Sequence, residues 1–380
     1  MTRRTRRAHA ERVVSIREVP VTATATEPAA ALLRGYVAAS NEVSRDVWGT
    51  DDYERDAAEM LAGMRPRPYE RVVRLVAVDH RTPGEDVRPD DVLGCAVVVM
   101  PLQDNTAWAY VGVTVRPAHR RHGVGTALYD EALRLARADG RSTLMAETDH
   151  RAEPAPGPGA RTATTGSGRI PVDDAGVRFL AARGWTLEQV ARRSVLALPV
   201  AAGTVERFRA DAARAAGADY RVVTWDDRVP DEWLDEAAAL YTEMSVAPPL
   251  GGLDYEQDLW DAARVRDHED THRDRGTRSW TTAVQHVPTG RLVGYTTLQQ
   301  IPPVRDLVHQ EDTLVAQGHR GHRLGMLLKA VNLQRLAAAR PDARRVATWN
   351  AEENDHMLAI NVALGFRPAG CSGEWQLTSG

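Results

Sequence analysis

Val113-Thr-Val115-Arg-Pro-Ala-His-Arg120-Arg-His-Gly123-Val-Gly125-Thr-Ala-Leu128 reads as a strand that ends, a short basic loop, and a helix that begins at the glycines. Glycine lets the backbone approach a ligand closely and adopt unusual dihedral angles. Free N–H groups at a helix start make an anion nest, reinforced by the helix dipole. The arginines add charge, so the natural guest is a pyrophosphate. A dinucleotide fingerprint needs a third glycine within a parallel βαβ unit, and a Walker loop needs Gly-Lys-Ser/Thr; neither is present. A lone copy reads equally as a tight turn with solvated arginines. The pattern occurs twice, however. Arg320-Gly-His-Arg323-Leu-Gly325 stands in the same context, with Arg120 matching Arg320 and Gly125 matching Gly325.

Outward from these loops, two segments run in the same order. In the first, 28–44 and 51–64 read as helices, 71–79, 92–100 and 107–115 as valine-rich strands, 123–138 as a helix and 142–147 as a strand. In the second, 231–244 and 255–272 read as helices, 279–285, 292–299 and 311–315 as strands, 323–339 as a helix, 345–349 as a strand, 356–364 as a helix and 373–377 as a strand. Pro-Gly within 82–91 and Pro-Thr-Gly within 288–290 mark hairpin turns. A repeat of this length means domain duplication. The expected layout is a basic, disordered tail (1–12), a first domain (13–199), an alanine- and arginine-rich linker helix (200–217) and a second domain (218–380). The stretch 153–168, rich in Pro, Gly, Ser and Thr, reads as a mobile loop.

The chain has 380 residues, room for two domains, and 43% hydrophobic residues, ample for packed cores. A formal net charge of -4 gives no reason to expect nucleic acid. The longest apolar run, 92–100, is a buried strand rather than a membrane span. No signal peptide follows the arginine-rich start. Cys95 and Cys371 lack metal-like spacing and read as free, buried thiols of a cytoplasmic protein. Basic residues are arginine apart from one lysine, Lys329, a bias that fits a GC-rich genome.

Arg120-Arg-His-Gly123-Val-Gly125 fully matches the Arg/Gln-x-x-Gly-x-Gly/Ala loop of the GCN5-related N-acetyltransferase (GNAT) superfamily, which the chain resembles over nearly its whole length. The second loop departs where Arg323 replaces the first glycine; an arginine at a helical dihedral still offers its N–H. The two-domain layout is similar to mycothiol synthase and other actinobacterial tandem members. The resemblance implies an α/β (α+β) fold of two tandem GNAT-like domains, each with a mixed, mostly antiparallel central sheet flanked by helices. It implies acetyl-CoA as acyl donor, no metal, and direct attack of a small-molecule amine on the thioester. A protein or peptide N-acetyltransferase and a non-catalytic coenzyme-A-binding module are the alternatives. Nucleic-acid and membrane partners are not expected. A tandem chain suits a monomer, since duplication supplies the pseudo-two-fold that relatives reach by dimerising; a dimer is the other arrangement.

The implied cofactor site comprises Val113, Val115, Arg120, Arg121, His122, Gly123, Val124, Gly125 and Thr126 in the first half. In the second it comprises Leu314, Val315, Arg320, Gly321, His322, Arg323, Leu324, Gly325, Met326, Asn350 and Asn354. The family's last helix carries Asn-x-x-Ala-x-x-x-Tyr-x-x-x-Gly-Phe, whose tyrosine can protonate the thiolate. Here Asn354 holds the asparagine position and Asn361 the tyrosine position; asparagine is no acid at neutral pH, and a water can protonate the thiolate instead. In the first half Asp173 and Leu180 stand there, so the second half is the expected catalytic one. Its base is Glu311 or Asp312 on the strand before the loop, with Glu311 and Thr313 on one face and Asp312 on the other by strict alternation. His309 is a further candidate base, Glu352 and Glu353 candidates for lining the amine pocket. Trp349 and Trp375 read as packing residues.

Overall fold

The computed structural model describes residues 14–82 and 87–378. The basic tail (1–12) and the Pro-Gly of the first hairpin lie outside these. By compactness the chain falls into two units, one of Met1–Pro101 with Thr106–Leu144, the other of Leu102–Asn105 with Met145–Ser379. The repeat boundary at 199/200 is therefore not where compactness divides it.

In the first unit, β1 (Val14–Glu18), β2 (Glu70–Asp79), β3 (Val92–Pro101) and β4 (Trp108–Val115) form an antiparallel sheet in that order. Three helices accompany it: α1 (Ala31–Trp48), α2 (Ala57–Ala62) and α3 (Val124–Ala138). Leu33, Tyr36, Val37, Met60, Val76 and Val92 share one core. On α3, Leu128, Ala132 and Ala136 are fully buried at i, i+4 and i+8, the stripe an amphipathic helix turns to its sheet. The unit ends within β5 (Thr143–His150).

The second unit adds β6 (Ala160–Thr162), β7 (Arg169–Pro171), α4 (Ala175–Ala181), β8 (Thr186–Ala197), α5 (Thr204–Ala216), β9 (Tyr220–Asp226), α6 (Leu234–Met244) and α7 (Ala262–Asp274). It continues with β10 (Arg278–His286), β11 (Leu292–Gln300), β12 (Leu307–Val315), α8 (Leu324–Ala339), β13 (Arg345–Ala351), α9 (Asp355–Leu364) and β14 (Arg367–Thr378). From β5 the strand order is β5-β14-β8-β13-β12-β11-β10-β9. The β12–β13 pair is parallel; β8, β10 and β11 pair antiparallel with their neighbours. One core, with Leu298, Leu328, Leu333 and Phe366, lies between sheet and α8. A second, with Ala237, Leu240, Val265, Tyr295 and Leu314, lies under α6 and α7. The expected linker helix is α5, and Val205, Ala212 and Ala216 pack it into the α8 core.

Two features depart from the sequence reading. The last strands of the repeats are exchanged: β8, from the first repeat, pairs with β13 of the second, while β14 of the second lies between β8 and β5. The stretch 153–168 is not a structureless loop. β6 pairs with β7, Glu153 and Arg169 form an ion pair at 2.6 Å, and Ile170 is fully buried. A turn-rich composition was taken for mobility, but a single buried isoleucine and an ion pair anchor it. Cys95 and Cys371 are free and buried, and Trp375 is fully buried with its indole N–H donated to Thr148 Oγ1 at 3.0 Å. No helix among the described residues is long and apolar enough to cross a membrane.

Candidate active site

β12 and β13 pair only from Leu307–Arg345 to Gln310–Thr348. Thr348 Oγ1 donates to Gln310 O at 3.1 Å, the last tie before the strands part. Beyond it, β13 stays bound to β8 through Ala351 and β12 to β11 through Val315, so a V opens between two otherwise supported strands. At its apex β12 carries a bulge: Glu311 and Asp312 together oppose Thr297, between the pairs Gln310–Leu298 and Thr313–Thr296. Gln310 Nε2 and Thr313 Oγ1 both reach Thr296 Oγ1, at 3.0 and 2.7 Å, although they are three residues apart. Glu311 and Asp312 are both exposed in succession. The strict alternation expected from sequence is thus wrong here; the extra residue shifts the phase. Gln310 Nε2 also donates to Thr297 O (2.9 Å) and Glu311 O (3.2 Å), satisfying carbonyls that the bulge takes out of the ladder.

Asp312 has company on the α6–α7 side. Tyr295 OH donates to Asp312 Oδ2 at 2.9 Å. The Tyr241 ring lies 5.1 Å from that of Tyr295 and 5.4 Å from that of Trp260. Although Asp312 as a residue is exposed, crowding of its carboxyl by surrounding atoms desolvates it in part and raises it above its usual range, against the opposing hydrogen bond from Tyr295. Farther along, burial lowers His268 to about 4 and His272 to about 3, so both are neutral imidazoles. His309 lies in the paired part of β12, opposite Gln299 and Ala347, before the V opens. Glu311 stands beside Asp312 on the bulge.

The loop after β12 turns through two left-handed residues, Gly321 (φ 88°) and Arg323 (φ 57°). Arg323 is therefore not at a helical dihedral, as expected, but still presents its N–H. The N–H groups of Leu324, Gly325 and Met326 precede the first intrahelical bond, Leu327 N–H to Arg323 O. Arg320 Nε donates to Val315 O at 3.2 Å, which anchors the side chain against its own strand. A Cβ on Gly325 would meet Ile360 Cδ1 at 3.2 Å, so glycine keeps α8 close to α9. His322 packs on the Tyr220 ring at 5.2 Å, while Tyr220 OH and His319 Nδ1 lie 3.0 Å apart. In the first unit, Arg121 (φ 67°) and Gly123 (φ 82°) are the left-handed pair, and Arg120 Nε donates to Val115 O at 3.1 Å. Leu314 and Val315 pair with Tyr295 and Gly294, Val113 and Val115 with Ala96 and Gly94.

A splayed parallel pair, a bulged strand and an anion nest at the following helix form one arrangement. Residues 45–155 match the model of the Acetyltransferase (GNAT) family. A tandem GNAT protein from the clavulanic acid biosynthesis pathway is 26% identical, with a TM-score of 0.71, covering 97% of this chain and 99% of that one. The chain thus carries a GNAT family-model domain and has the fold of a tandem GNAT protein. Two more distant structures share the fold. A fungal GCN5-related glucosamine N-acetyltransferase region matches at 13% identity (TM-score 0.58, 97% of this chain, 38% of that one). A GCN5-related N-acetyltransferase from Sphaerobacter thermophilus matches at 14% identity (TM-score 0.55, 96% and 95%). A search of curated proteins found no match.

The remaining expected site residues have specific places. Asn354 is the N-cap of α9, accepting from Met357 N–H at 3.3 Å. Asn350 lies on the parted segment of β13 and accepts from Asn361 Nδ2 at 2.7 Å. Asn361 is 1% exposed, and its Oδ1 has no partner. Glu352 is bound to Arg192 of β8, and Glu353 Oε1 accepts from Gln189 Nε2 at 2.6 Å. In the first repeat, Asp174 rather than Asp173 caps α4, and Leu180 is buried. The sequence reading missed Tyr295 and Lys329. Lys329 carries a signal, a single lysine inside an apolar helical run; Tyr295 carries none, because a tyrosine on a strand is ordinary. Among the described residues no group of three or more His, Cys, Asp or Glu could hold a metal.

Proposed function

We propose that this tandem GNAT moves an acetyl group from acetyl-CoA to the amine of a small molecule, and that the repeat built on β12 and β13 performs the transfer. The observation that carries the reading is Asp312, set by a bulge at the apex of the V with Tyr295 on its carboxylate. Coenzyme A supplies an activated acyl thioester. The chain's residues fit it: the free N–H groups of Leu324, Gly325 and Met326, with Arg320 beside them, suit a pyrophosphate, and the parted edges of β12 and β13 suit an amide-bearing arm.

An amine arrives protonated and must lose a proton before it attacks. A carboxylate raised by partial desolvation has more proton affinity than an ordinary one, so Asp312 is the better base of the two on the bulge. Glu311 lies next to it and contributes negative charge that draws a cationic acceptor. The tandem relative from a small-molecule biosynthetic pathway supports a small acceptor.

Thiol release from acetyl-CoA, followed with a panel of primary amines, tests the assignment. Asp312→Asn is expected to lower kcat by roughly 10²- to 10³-fold, the usual contribution of a positioned base, and Glu311→Gln by far less. Full turnover in Asp312→Asn, or abolition by a first-loop change such as Gly123→Asp alone, overturns the choice of half.

A further inference from the structure

Lys329 is 2% exposed, lies within α8, and has no hydrogen-bond or ion-pair partner among the described residues. Burial of an unpaired ammonium is costly, so its position needs a reason. Gly325 stands one turn earlier on the same stripe of α8, against Ile360 of α9. Helical side chains lean toward the helix N-terminus, which for Lys329 is the end of α8 that follows the phosphate loop. Asn361, the next residue on α9, is also buried, and its Oδ1 also lacks a partner. Two unpaired polar side chains, a donor and an acceptor, thus belong to the two helices that meet at Gly325.

We propose that Lys329 is the proton donor to the departing coenzyme A sulfur, with Asn361 Oδ1 holding its ammonium, directly or through one water. The assignment rests on the acetyl-CoA reading above. As the amine nitrogen bonds to the acyl carbon, Asp312 takes the amine's proton. The C–S bond then breaks, its electron pair goes to sulfur, and Lys329 Nζ gives that sulfur a proton. Neutral Lys329 is reprotonated from solvent, and Asp312 returns its proton to solvent.

Acidity agrees with this role. Burial alone lowers Lys329 to about 7, so near neutral pH it gives up a proton far more readily than an ordinary lysine. The charged groups on the elements around α8 are Glu206, Arg207, Arg209, Asp211 and Arg214 of α5, Arg278 and His286 of β10, Asp355 and His356 of α9, Glu311 and Asp312 of β12, and Arg345 of β13, with His309 also on β12 and Arg335 on α8 itself. None of them contributes to the shift.

Lys329→Met, close in length and apolar, separates the possibilities. In the wild type, coenzyme A bound to the full chain is expected to titrate its thiol at least about one unit below free coenzyme A, read by ultraviolet thiolate absorbance, because an ammonium faces it. In Lys329→Met that shift is expected to vanish while coenzyme A still binds. With acetyl-CoA and an active amine from the panel, kcat is expected to fall at least about 10-fold with little change in KM, and the alkaline limb of the kcat–pH profile to disappear. A thermal midpoint at or above wild type shows that the variant is folded. Equal thiol titration in both proteins overturns the role of Lys329 and leaves the acetyl-CoA reading standing. Failure of the wild type to bind coenzyme A overturns that reading and the lysine's role with it.

Discussion

The two phosphate-loop segments, 115–138 and 315–339, have nearly the same backbone and opposite chemistry. Each turns through two left-handed residues, one glycine and one arginine, but their order is swapped: Arg121 then Gly123, Gly321 then Arg323. Each anchors an arginine Nε on the carbonyl of the strand's last valine. The first loop, the better match to the family motif, has Arg120 paired with Asp46 of α1 at 2.9 Å. Arg320 has no ion pair among the described residues. Five residues into each helix, α3 carries Tyr129 and α8 carries Lys329. A motif match therefore reports backbone shape, and shape survives a glycine moved by two positions. Charge left unpaired is what separates a loop ready for an anion from one already neutralised.

The harshest way to break the comparison is a carboxylate in the nest. Gly325→Asp is expected to cut kcat/KM for acetyl-CoA by about 10²-fold or more, since it sets a negative charge among N–H groups meant for phosphate; Gly125→Asp is expected to leave turnover nearly intact. Steady-state kinetics of the pair decides which loop serves the reaction. Lys329→Met should next stabilise the fold. The folded lysine titrates near 7 and the unfolded one at its ordinary 10.5, so between these values the unfolded chain binds more protons and wild-type stability rises with pH. The substitution should flatten that rise and add on the order of 5 kcal/mol below pH 7, seen in urea melts across pH. Arg320→Ala should raise KM for acetyl-CoA roughly 10-fold, the loss of one charge-assisted contact. Arg120→Ala should change stability by under about 1 kcal/mol, its half-exposed pair with Asp46 being worth little. The smallest effect is Arg323→Gly, which relieves a left-handed non-glycine residue and should raise stability by about 1 kcal/mol in thermal melts.

Much of this was legible in the sequence because it is local. Valine-rich alternation marks β2 to β4 and β10 to β12, and glycine with arginine marks the loops. Strand β12 begins at Leu307 rather than 311, because His309 and Gln310 look polar while Gln310 is in fact buried on Thr296. The bulge that turns Glu311 and Asp312 out together depends on register, which no composition shows. Tyr295 joins the site only through β11–β12 pairing, and Lys329 passed for genome bias because its surroundings are set by α9. The pairing partner of β8 is equally non-local. Nothing in the residues 186–197 states that their neighbours are 345–351 and 367–376.

That exchange bears on how the chain is made. β8 takes β13 on one side and β14 on the other, and β14 also lies beside β5. Strands of the first repeat must wait, with open edges, for residues synthesised nearly two hundred positions later. Ser372 Oγ and the Trp375 indole, both bonded to Thr148, close that gap. A nascent chain carrying the first repeat alone thus holds β5 and β8 without the strands they adjoin in the full chain. The duplication has become one inheritance unit, whose halves can diverge in chemistry but cannot separate.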